Sequence, residues 1–348
     1  RRFGRVSELV NRAFRLRQRP VGRVTEKDLE LVTEAVPDLG EGQALVRTLY
    51  LSLDPTNRIW MSDKPSYLPP VGIDAVMRGV AVGRVVESRR DDMSPGDHVS
   101  GMLGWQEYAI VGLRATRVTV LPDPLPAPVA AFLGVLGHTG ISAWLGLNNI
   151  GHVTSGDTVV VSAAAGAVGS VAGQLAKKYG AARVVGLAGG EAKCRHVIEN
   201  LGFDDCVDYK RDDWRERIDA ATPDGVDVEF ENVGGEIMDH VMSRLNLNAR
   251  IVLCGMISQY NSDGGGWTGQ RGIGEMIMKR ATMTGFVVLD HTDQFPAAID
   301  ELAGLWSQGK LRVDETVVDG LENARDELNN LFDGSNTGKL LIKVADPG

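Results

Sequence analysis

Hydrophobic and polar positions follow two different patterns along the chain, and the change comes near residue 130. From residue 24 to residue 120, short apolar runs are broken by Gly, Pro and Asp, as in Ser94-Pro95-Gly96-Asp97. Such interruptions predict short strands joined by turns, and therefore a small β-rich, barrel-like domain. From residue 131 to residue 309, longer apolar runs alternate with helical patterns. This alternation predicts a parallel sheet with helices on both faces.

The pattern also predicts where the individual elements lie. In the first region, strands are expected at 14–17, 29–32, 44–52, 75–87, 98–103 and 105–111. In the second, strands are expected at 159–161, 183–187, 206–209, 226–231, 250–255 and 283–288, helices at 130–147, 236–245 and 293–308, and a glycine-rich loop at 261–274. A last helix, 322–332, and strand, 340–344, are too short a tail to form a domain. We therefore predict a β-rich domain of residues 1–130 with 310–348, and an α/β domain of residues 131–309.

The stretch from residue 158 to residue 193 reads as strand, turn, helix and strand. Residues 159–161 are three valines, typical of a strand buried on both faces. The turn after them has an A-x-x-G-x-x-G spacing. A dinucleotide pyrophosphate binds at such a helix N-terminus, where Gly166 would leave room for the phosphate and Gly169 would let the helix pack closely. The predicted cradle comprises Gly166, Ala167, Val168 and Gly169. The alternative is a helix start shaped only for packing.

The end of the second strand in this stretch indicates which nucleotide would bind. NAD-binding units usually carry an acid there, which binds the ribose 2′-hydroxyl. Here the strand ends in Gly189-Gly190, Lys193 follows, and Glu191 falls in the first turn of the next helix. Open space and a lysine suit a 2′-phosphate, and a charge-assisted contact would contribute roughly 1.5–3 kcal/mol. Tyr209 could add a hydroxyl group or a ring face. We predict NADP(H) as the cofactor.

Composition and charge narrow the classes of function. The 348 residues exceed the usual size of a single core, which agrees with two domains. A net charge of -9 argues against a nucleic-acid partner. No apolar run approaches the roughly 18 residues of a membrane span. The odd number of cysteines, without C-x-x-C spacing, favours free thiols and a cytoplasmic location.

Neither zinc ligands nor a clear targeting segment stand out. Residues 1–193 contain no cysteine, and His98, His138 and His152 are not spaced as ligands, so we expect no metal site. Residues 1–23 contain eight arginines and one acid, which superficially resembles an organellar transit peptide. Because the chain starts with Arg1, residues 1–10 could also be an expression remnant or a misplaced start. The alternating pattern from Asn11 favours a remnant followed by the first strand.

Several blocks in order along the chain carry a family resemblance. They are Tyr50-Leu51-Ser52-Leu53-Asp54-Pro55, Val76-Met77-Arg78-Gly79, Gly101-Met102-Leu103-Gly104-Trp105-Gln106-Glu107-Tyr108, the turn 163–169, Phe230-Glu231-Asn232-Val233-Gly234-Gly235, Cys254-Gly255-Met256-Ile257-Ser258-Gln259-Tyr260 and Gly334-Ser335-Asn336-Thr337-Gly338-Lys339. From Asn11 onward the chain resembles the zinc-independent medium-chain dehydrogenases/reductases, in the branch of prostaglandin, alkenal and curcumin reductases. The resemblance implies a doubly wound parallel Rossmann sheet inserted in a smaller β-rich, GroES-like domain.

The resemblance also implies an activity, the NADPH-dependent reduction of the C=C bond of a small enone or enal. Hydride would reach the β-carbon, and the enolate would be stabilised by Tyr260 and a cofactor ribose hydroxyl; the alternative is that Tyr260 only packs on the cofactor. Tyr50 and Tyr67 resemble aromatics near the family's substrate pocket. Thr56-Asn57-Arg58 departs from the family, where many members carry an aromatic residue or a methionine.

The cofactor contacts implied, beyond the turn, Gly189, Lys193 and Tyr209, are Asn232, Cys254, Gly255, Ser258, Tyr260, Phe286, Val287, Val288 and Asn336. Two other interpretations stay open, an NADPH quinone reductase of the same superfamily and a protein that binds NADPH with little catalysis. If strand 283–288 forms a sheet edge, pairing of two such edges would give a homodimer.

Overall fold

The structure is a computed structural model, and it describes residues 9–112, 118–261 and 271–347. Among these residues, no helix is long and apolar enough to cross a membrane. The chain divides into two units. The first comprises the described residues up to Leu133, Thr316–Ser335 and those from Leu340, and the second comprises the described residues of Gly134–Glu315 with Asn336–Lys339.

The elements follow one another along the chain in this order. The first part holds β1 (Val10–Leu16), β2 (Leu29–Ala35), β3 (Gln43–Ser52), α1 (Thr56–Trp60), β4 (Ala81–Ser88), β5 (His98–Gly101), β6 (Tyr108–Gly112) and β7 (Val118–Val120). The middle holds α2 (His138–Leu145), β8 (Thr158–Ser162), α3 (Gly169–Lys178), β9 (Arg183–Ala188), α4 (Glu191–Leu201), β10 (Asp205–Asp208), α5 (Trp214–Ala221), β11 (Val226–Glu231), α6 (Gly235–Ser243) and β12 (Leu245–Leu253). The last part holds α7 (Glu275–Lys279), β13 (Thr282–Gly285), α8 (Phe295–Ser307), β14 (Glu315–Asp319), α9 (Ala324–Asp333) and β15 (Lys339–Lys343).

The first unit is built on a seven-stranded sheet with the order β14-β15-β3-β4-β5-β7, in which β6 also pairs with β3. β1 and β2 form a separate antiparallel pair. Phe14 packs edge-on against Trp105 in the core, at a centroid distance of 5.8 Å. Because β15 pairs with β3, the chain's last strand returns to the β-rich sheet, as the sequence predicted.

The second unit holds a six-stranded parallel sheet with the order β10-β9-β8-β11-β12-β13. Counted from β8, this is the order 3-2-1-4-5-6 of a dinucleotide-binding Rossmann fold. The apolar strand residues, such as Val160 and Ile251, are buried against α5 and α6 on one face of the sheet. The predicted fold class, a doubly wound parallel sheet inserted in the sequence of a β-rich unit, is confirmed.

Several predicted elements have different bounds, for reasons visible in the backbone. The predicted strand 75–87 begins only at Ala81, because Ala75 and Met77 bond to β1 instead. For the same reason, the predicted strand 105–111 begins at Tyr108, since the Trp105 carbonyl and the Glu107 amide also bond to β1. β1 itself starts at Val10, before the predicted residue 14.

The predicted helix 130–147 is wrong as a single element. It consists of a 3₁₀ turn at Val129–Leu133, helix α2 and a π-helical turn at Gly146–Gly151. The chain folds back tightly before α2, where a Cβ on Gly140 would lie 1.9 Å from the Val135 carbonyl oxygen. The predicted strand 250–255 covers only part of β12, and strand 283–288 stops at Gly285. Most of the predicted loop 261–274 lies outside the described residues.

Candidate cofactor site

All predicted cofactor residues except Asn336 follow the ends of the six parallel strands. Because parallel strands end at the same edge of a sheet, these residues lie along one edge of the second unit. Ligands of open α/β sheets bind at this edge, near the strand where the chain order reverses, which here is β8. The arrangement therefore provides a continuous backbone surface for an extended nucleotide.

The turn between β8 and α3 has the shape of a phosphate cradle. The Gly166 amide donates to the Ala163 carbonyl at 2.9 Å, and the Ser170 amide donates to the Gly166 carbonyl at 3.0 Å. A Cβ on Gly169 would lie 2.3 Å from the Ala163 oxygen, so only glycine fits where α3 begins. Within the described residues, the amides of Ala167 and Val168 have no backbone acceptor. Amides that point out of a helix N-terminus in this way suit an anion.

A second segment, Asn336–Lys339, runs alongside this turn. The Gly338 amide donates to the Ala165 carbonyl at 2.8 Å, and Gly166 and Gly338 form a parallel bridge. Gly338 adopts a positive φ of 66°, and a Cβ there would lie 1.9 Å from the Asp314 carbonyl oxygen. This segment is therefore held against the cradle by its backbone, which places Asn336 in the site.

Five residues converge beside the end of β9, and we call them the lysine pocket: Gly189, Lys193, Tyr209, Lys210 and Asn336. Lys193 Nζ donates to the Asn336 carbonyl oxygen. A Cβ on Gly189 would lie 2.7 Å from the Tyr209 hydroxyl and 2.9 Å from Lys210 Cε. Burial, together with the charge of Lys210, lowers the pKa of Lys193. A phosphate dianion fits this pocket, since it would relieve the repulsion between the two ammonium groups.

The acidic side chains near the lysine pocket bind backbone amides or an arginine. Asp208 Oδ1 accepts from the amides of Gly190, at 2.7 Å, and Lys210, at 3.0 Å. Glu191 is the first residue of α4 and pairs with Arg195 at 2.9 Å across one helical turn. Glu191 therefore occupies the helix start that the sequence predicted, and the open end of β9 carries glycines.

A second group lies where β8 and β11 end, and we call it the carboxylate hub: Ser162, Glu231, Asn232, Val233 and Gly234. Glu231 is fully buried. Its Oε1 accepts from Ser162 Oγ at 2.9 Å, from the Gly234 amide at 2.7 Å and from the Val233 amide. The Asn232 amide donates to Ser162 Oγ at 2.7 Å, and its side chain donates to the Ser162 carbonyl at 2.8 Å. One carboxylate thus fixes the turn that carries Asn232.

The loop after β12 is tied to the same hub and carries Tyr260. The amides of Cys254, at 2.9 Å, and Gly255, at 3.0 Å, donate to the Glu231 carbonyl. The Tyr260 hydroxyl accepts from the Met256 amide at 2.9 Å. This bond orients the phenol, and a hydroxyl group can donate as well as accept. Ser258 Oγ donates to the Val233 carbonyl at 2.5 Å, which joins the loop to the turn after β11.

Two further groups of predicted cofactor residues contribute mainly backbone. Burial, followed by the charge of Glu231, raises the pKa of the Cys254 thiol to about 12. The Phe286 and Val288 side chains pack in an apolar cluster with Ile141, Leu145 and Ala298, with Val287 between them in the chain. Phe286 and Val288 therefore pack on protein, which leaves the backbone of this strand end for a cofactor.

The predicted substrate residues belong to the first unit. Tyr50 is a half-buried residue of β3, next to Lys343 in the strand pairing. Tyr67 lies in the loop after α1 and is 43% exposed. The unusual Asn57 and Arg58 are buried and structural, since the Arg58 guanidinium donates to the Pro20 carbonyl at 2.9 Å and Asn57 Oδ1 accepts from the Asp54 amide at 2.8 Å.

Sequence reasoning missed several residues of the site. Lys210 follows the predicted residue Tyr209 directly in the sequence, so this adjacency could have identified it. Ser162 ends β8 just before the recognised turn, and Glu231 lies within a recognised block, yet the hydrogen bond between them depends on which strands become neighbours. In the described ranges, no three His, Cys, Asp or Glu side chains group as metal ligands, so the residues present do not fit a zinc ion.

Comparisons with known proteins agree with this geometry. Residues 12–119 match a family model described as the N-terminal domain of oxidoreductase, and residues 167–304 match one described as zinc-binding dehydrogenase. The NADPH-dependent curcumin reductase of Escherichia coli is 42% identical over 96% of this chain and 97% of its own length. The NADP(+)-dependent 2-alkenal reductase of Nicotiana tabacum is 35% identical over 97% of this chain and 98% of its own length. The crystal structure of Vibrio vulnificus CurA in complex with NADPH is 40% identical, covers 97% of this chain and 100% of that chain, and has a TM-score of 0.91.

Strand order, glycine turn and family matches together define a two-unit protein of the dehydrogenase class with a Rossmann fold. The chain belongs to the medium-chain dehydrogenase/reductase family, as the sequence predicted.

Proposed function

We propose that this protein uses NADPH to reduce the C=C bond of α,β-unsaturated ketones or aldehydes. The lysine pocket carries the cofactor part of the proposal, because two ammonium groups, a phenol and a glycine meet where a 2′-phosphate would lie. The substrate part is supported by the relatives, which are named as curcumin and 2-alkenal reductases. Curcumin and alkenals share a C=C bond conjugated to a carbonyl group.

In this proposal, residues of the protein bind the cofactor and stabilise the enolate. The amides of Ala167 and Val168 would hold the pyrophosphate, and Lys193 with Lys210 would hold the 2′-phosphate. When bound, the cofactor supplies a hydride to the β-carbon of the substrate. Tyr260 would donate a hydrogen bond to the carbonyl oxygen of the substrate, on which the enolate charge develops. Solvent would then protonate the α-carbon, which completes the reduction. Tyr50 and Tyr67 stay predicted substrate residues.

Steady-state NADPH oxidation with a panel of substrates tests this function. Enones and enals should be turned over, plain aldehydes should not, and NADH should be a much poorer cofactor. A preference for quinones would instead support the quinone reductase interpretation. Tight NADPH binding without turnover of any substrate would support a non-catalytic NADPH-binding protein. Equal affinity for NADH and NADPH would contradict the role of the lysine pocket.

We also propose that the protein is a homodimer. β13 is the last strand of the six-stranded sheet, so one of its sides has no strand partner among the described residues. Exposed sheet edges are commonly covered by a second copy. Light scattering should report twice the chain mass, and Thr284→Pro on this strand should shift the mass toward the monomer. The cytoplasmic location stays a prediction.

A further inference from the structure

Strand β11 carries a second buried acid that the proposed function does not use. Glu229 and Glu231 are two residues apart, so their side chains lie on the same face of the strand. Both are fully buried. The strand neighbours of Glu229 are Val160 and Ile251, and both belong to the apolar core under α6. Glu229 therefore lies in an apolar layer directly below the carboxylate hub.

If both groups of this pair are carboxylates, three of their four oxygens have no hydrogen-bond donor among the described residues. Glu231 Oε1 has three donors, but Glu231 Oε2 and both Glu229 oxygens have none among the other described residues. The two side chains lie on the same face of β11, and Glu231 is among the groups that raise the pKa of Glu229. Two carboxylates in contact repel, whereas an acid and a carboxylate share a proton. One proton placed between them thus satisfies Glu231 Oε2.

The charged and titratable groups around Glu229 all disfavour its ionisation. Burial is the main cause that raises its pKa well above the usual range, followed by the charges of Glu231 on the same strand and of Asp239 on α6. Cys254, which also faces Glu231, is held as a thiol. None of these groups is a cation. The proton therefore belongs on Glu229, whose oxygens have no donors, rather than on Glu231, whose Oε1 has three.

We propose that Glu229 is a protonated acid at neutral pH and that its O–H donates to Oε2 of Glu231, which orients the carboxylate of the hub. Glu229 is then a positioning residue. It acts through Glu231 on the turn that carries Asn232 and on the loop that carries Tyr260. Its effect on NADPH affinity rests on the proposed function, whereas its protonation does not.

Two variants distinguish the effect of the Glu229 proton from the effect of side-chain packing. Glu229→Gln keeps the size and supplies a neutral N–H donor to Glu231. Glu229→Met keeps the volume but has no donor, so a buried oxygen of Glu231 loses its partner and this variant should be the less stable of the two. The unfolding experiment on Glu229→Gln does not depend on the folding of Glu229→Met.

The first experiment measures denaturant unfolding against pH. A raised pKa means that the folded state binds more protons than the unfolded state from the ordinary glutamate pKa of about 4.3 upward. The folding equilibrium constant of the wild type should therefore fall, relative to Glu229→Gln, by up to about tenfold per pH unit until Glu229 ionises in the folded state. Parallel curves for the two proteins would overturn the proposal.

The second experiment measures NADPH affinity by fluorescence titration at neutral pH. Glu229→Gln should stay within about threefold of the wild type, whereas Glu229→Met should lose about tenfold, because Glu231 Oε2 then lacks its donor. Wild-type affinity in Glu229→Met would contradict the positioning role. If the wild type itself does not bind NADPH, the proposed function fails, and the pH dependence of unfolding still decides whether Glu229 holds the proton.

Discussion

The lysine pocket and the carboxylate hub lie at the same edge of one sheet, yet they hold charge in opposite ways. In the pocket, the half-buried Lys193 lies near the exposed Lys210, and burial lowers the pKa of Lys193. In the hub, Glu231 is fully buried, and the donors to its Oε1 are two backbone amides and one serine hydroxyl of the protein itself. The pocket is therefore suited to recognise a ligand, and the hub is suited to fix the backbone around it.

This difference predicts that substitutions in the two regions affect cofactor binding in different ways. A change in the pocket should alter the choice between NADPH and NADH, because only the 2′-phosphate differs between them. A change in the hub should weaken both cofactors by the same factor. The loop that carries Tyr260 is anchored by the hub. Substitutions in this loop should affect turnover more than cofactor binding.

The largest effect is expected from Tyr260→Phe. Loss of one oxyanion donor typically lowers turnover about 10²- to 10³-fold. The Met256 amide also loses its acceptor in this variant, so the affinity for NADPH measures any damage to the loop. We expect kcat with an enone to fall at least tenfold while the Kd for NADPH stays within about threefold. Turnover at the wild-type rate would remove Tyr260 from the mechanism.

Lys193→Ala should have the next largest effect. Loss of a charge-assisted contact of about 1.5–3 kcal/mol corresponds to about a 10- to 100-fold loss in kcat/KM with NADPH. The value with NADH should hardly change, and Lys193→Arg should retain part of the preference. Steady-state kinetics with both cofactors measures the ratio. Equal losses with NADPH and NADH would mean that Lys193 supports structure, as residues of the hub do.

The two regions also differ in how much the sequence revealed. The proximity of Gly189, Lys193 and Tyr209 could be predicted because they follow neighbouring strands, whereas their role in cofactor binding stays a prediction. The glycines at the end of β9 have a direct chemical meaning, since they stand where an NAD-binding unit carries an acid. Glu231 and Ser162 were not predicted as partners, since their contact depends on β8 and β11 becoming neighbours. The fold class followed from hydrophobic runs, whereas the break before α2 depends on a tight backbone contact at Gly140.

Glu231→Gln should have a smaller effect that separates the two regions. The amide keeps an acceptor oxygen for Val233 and Gly234 but loses the charge, so each hydrogen bond weakens toward the neutral range of about 0.5–1.5 kcal/mol. We expect the Kd values for NADPH and NADH to rise by the same factor, about three- to tenfold. Fluorescence titration with both cofactors checks this. A selective loss of NADPH binding would mean that the hub contributes to cofactor choice.

The smallest effect is expected from Cys254→Ser, although Cys254 lies between the hub and Tyr260. Its amide donates to the Glu231 carbonyl at 2.9 Å, and serine keeps that bond. Burial raises the pKa of its thiol, so little of the reactive thiolate is present at pH 8. We expect turnover within about twofold of the wild type and slow alkylation of Cys254 in the folded protein, measured by mass spectrometry. Rapid alkylation that NADPH prevents would instead show that the side chain faces the cofactor, and the hub would then bind its ligand through side chains as the lysine pocket does.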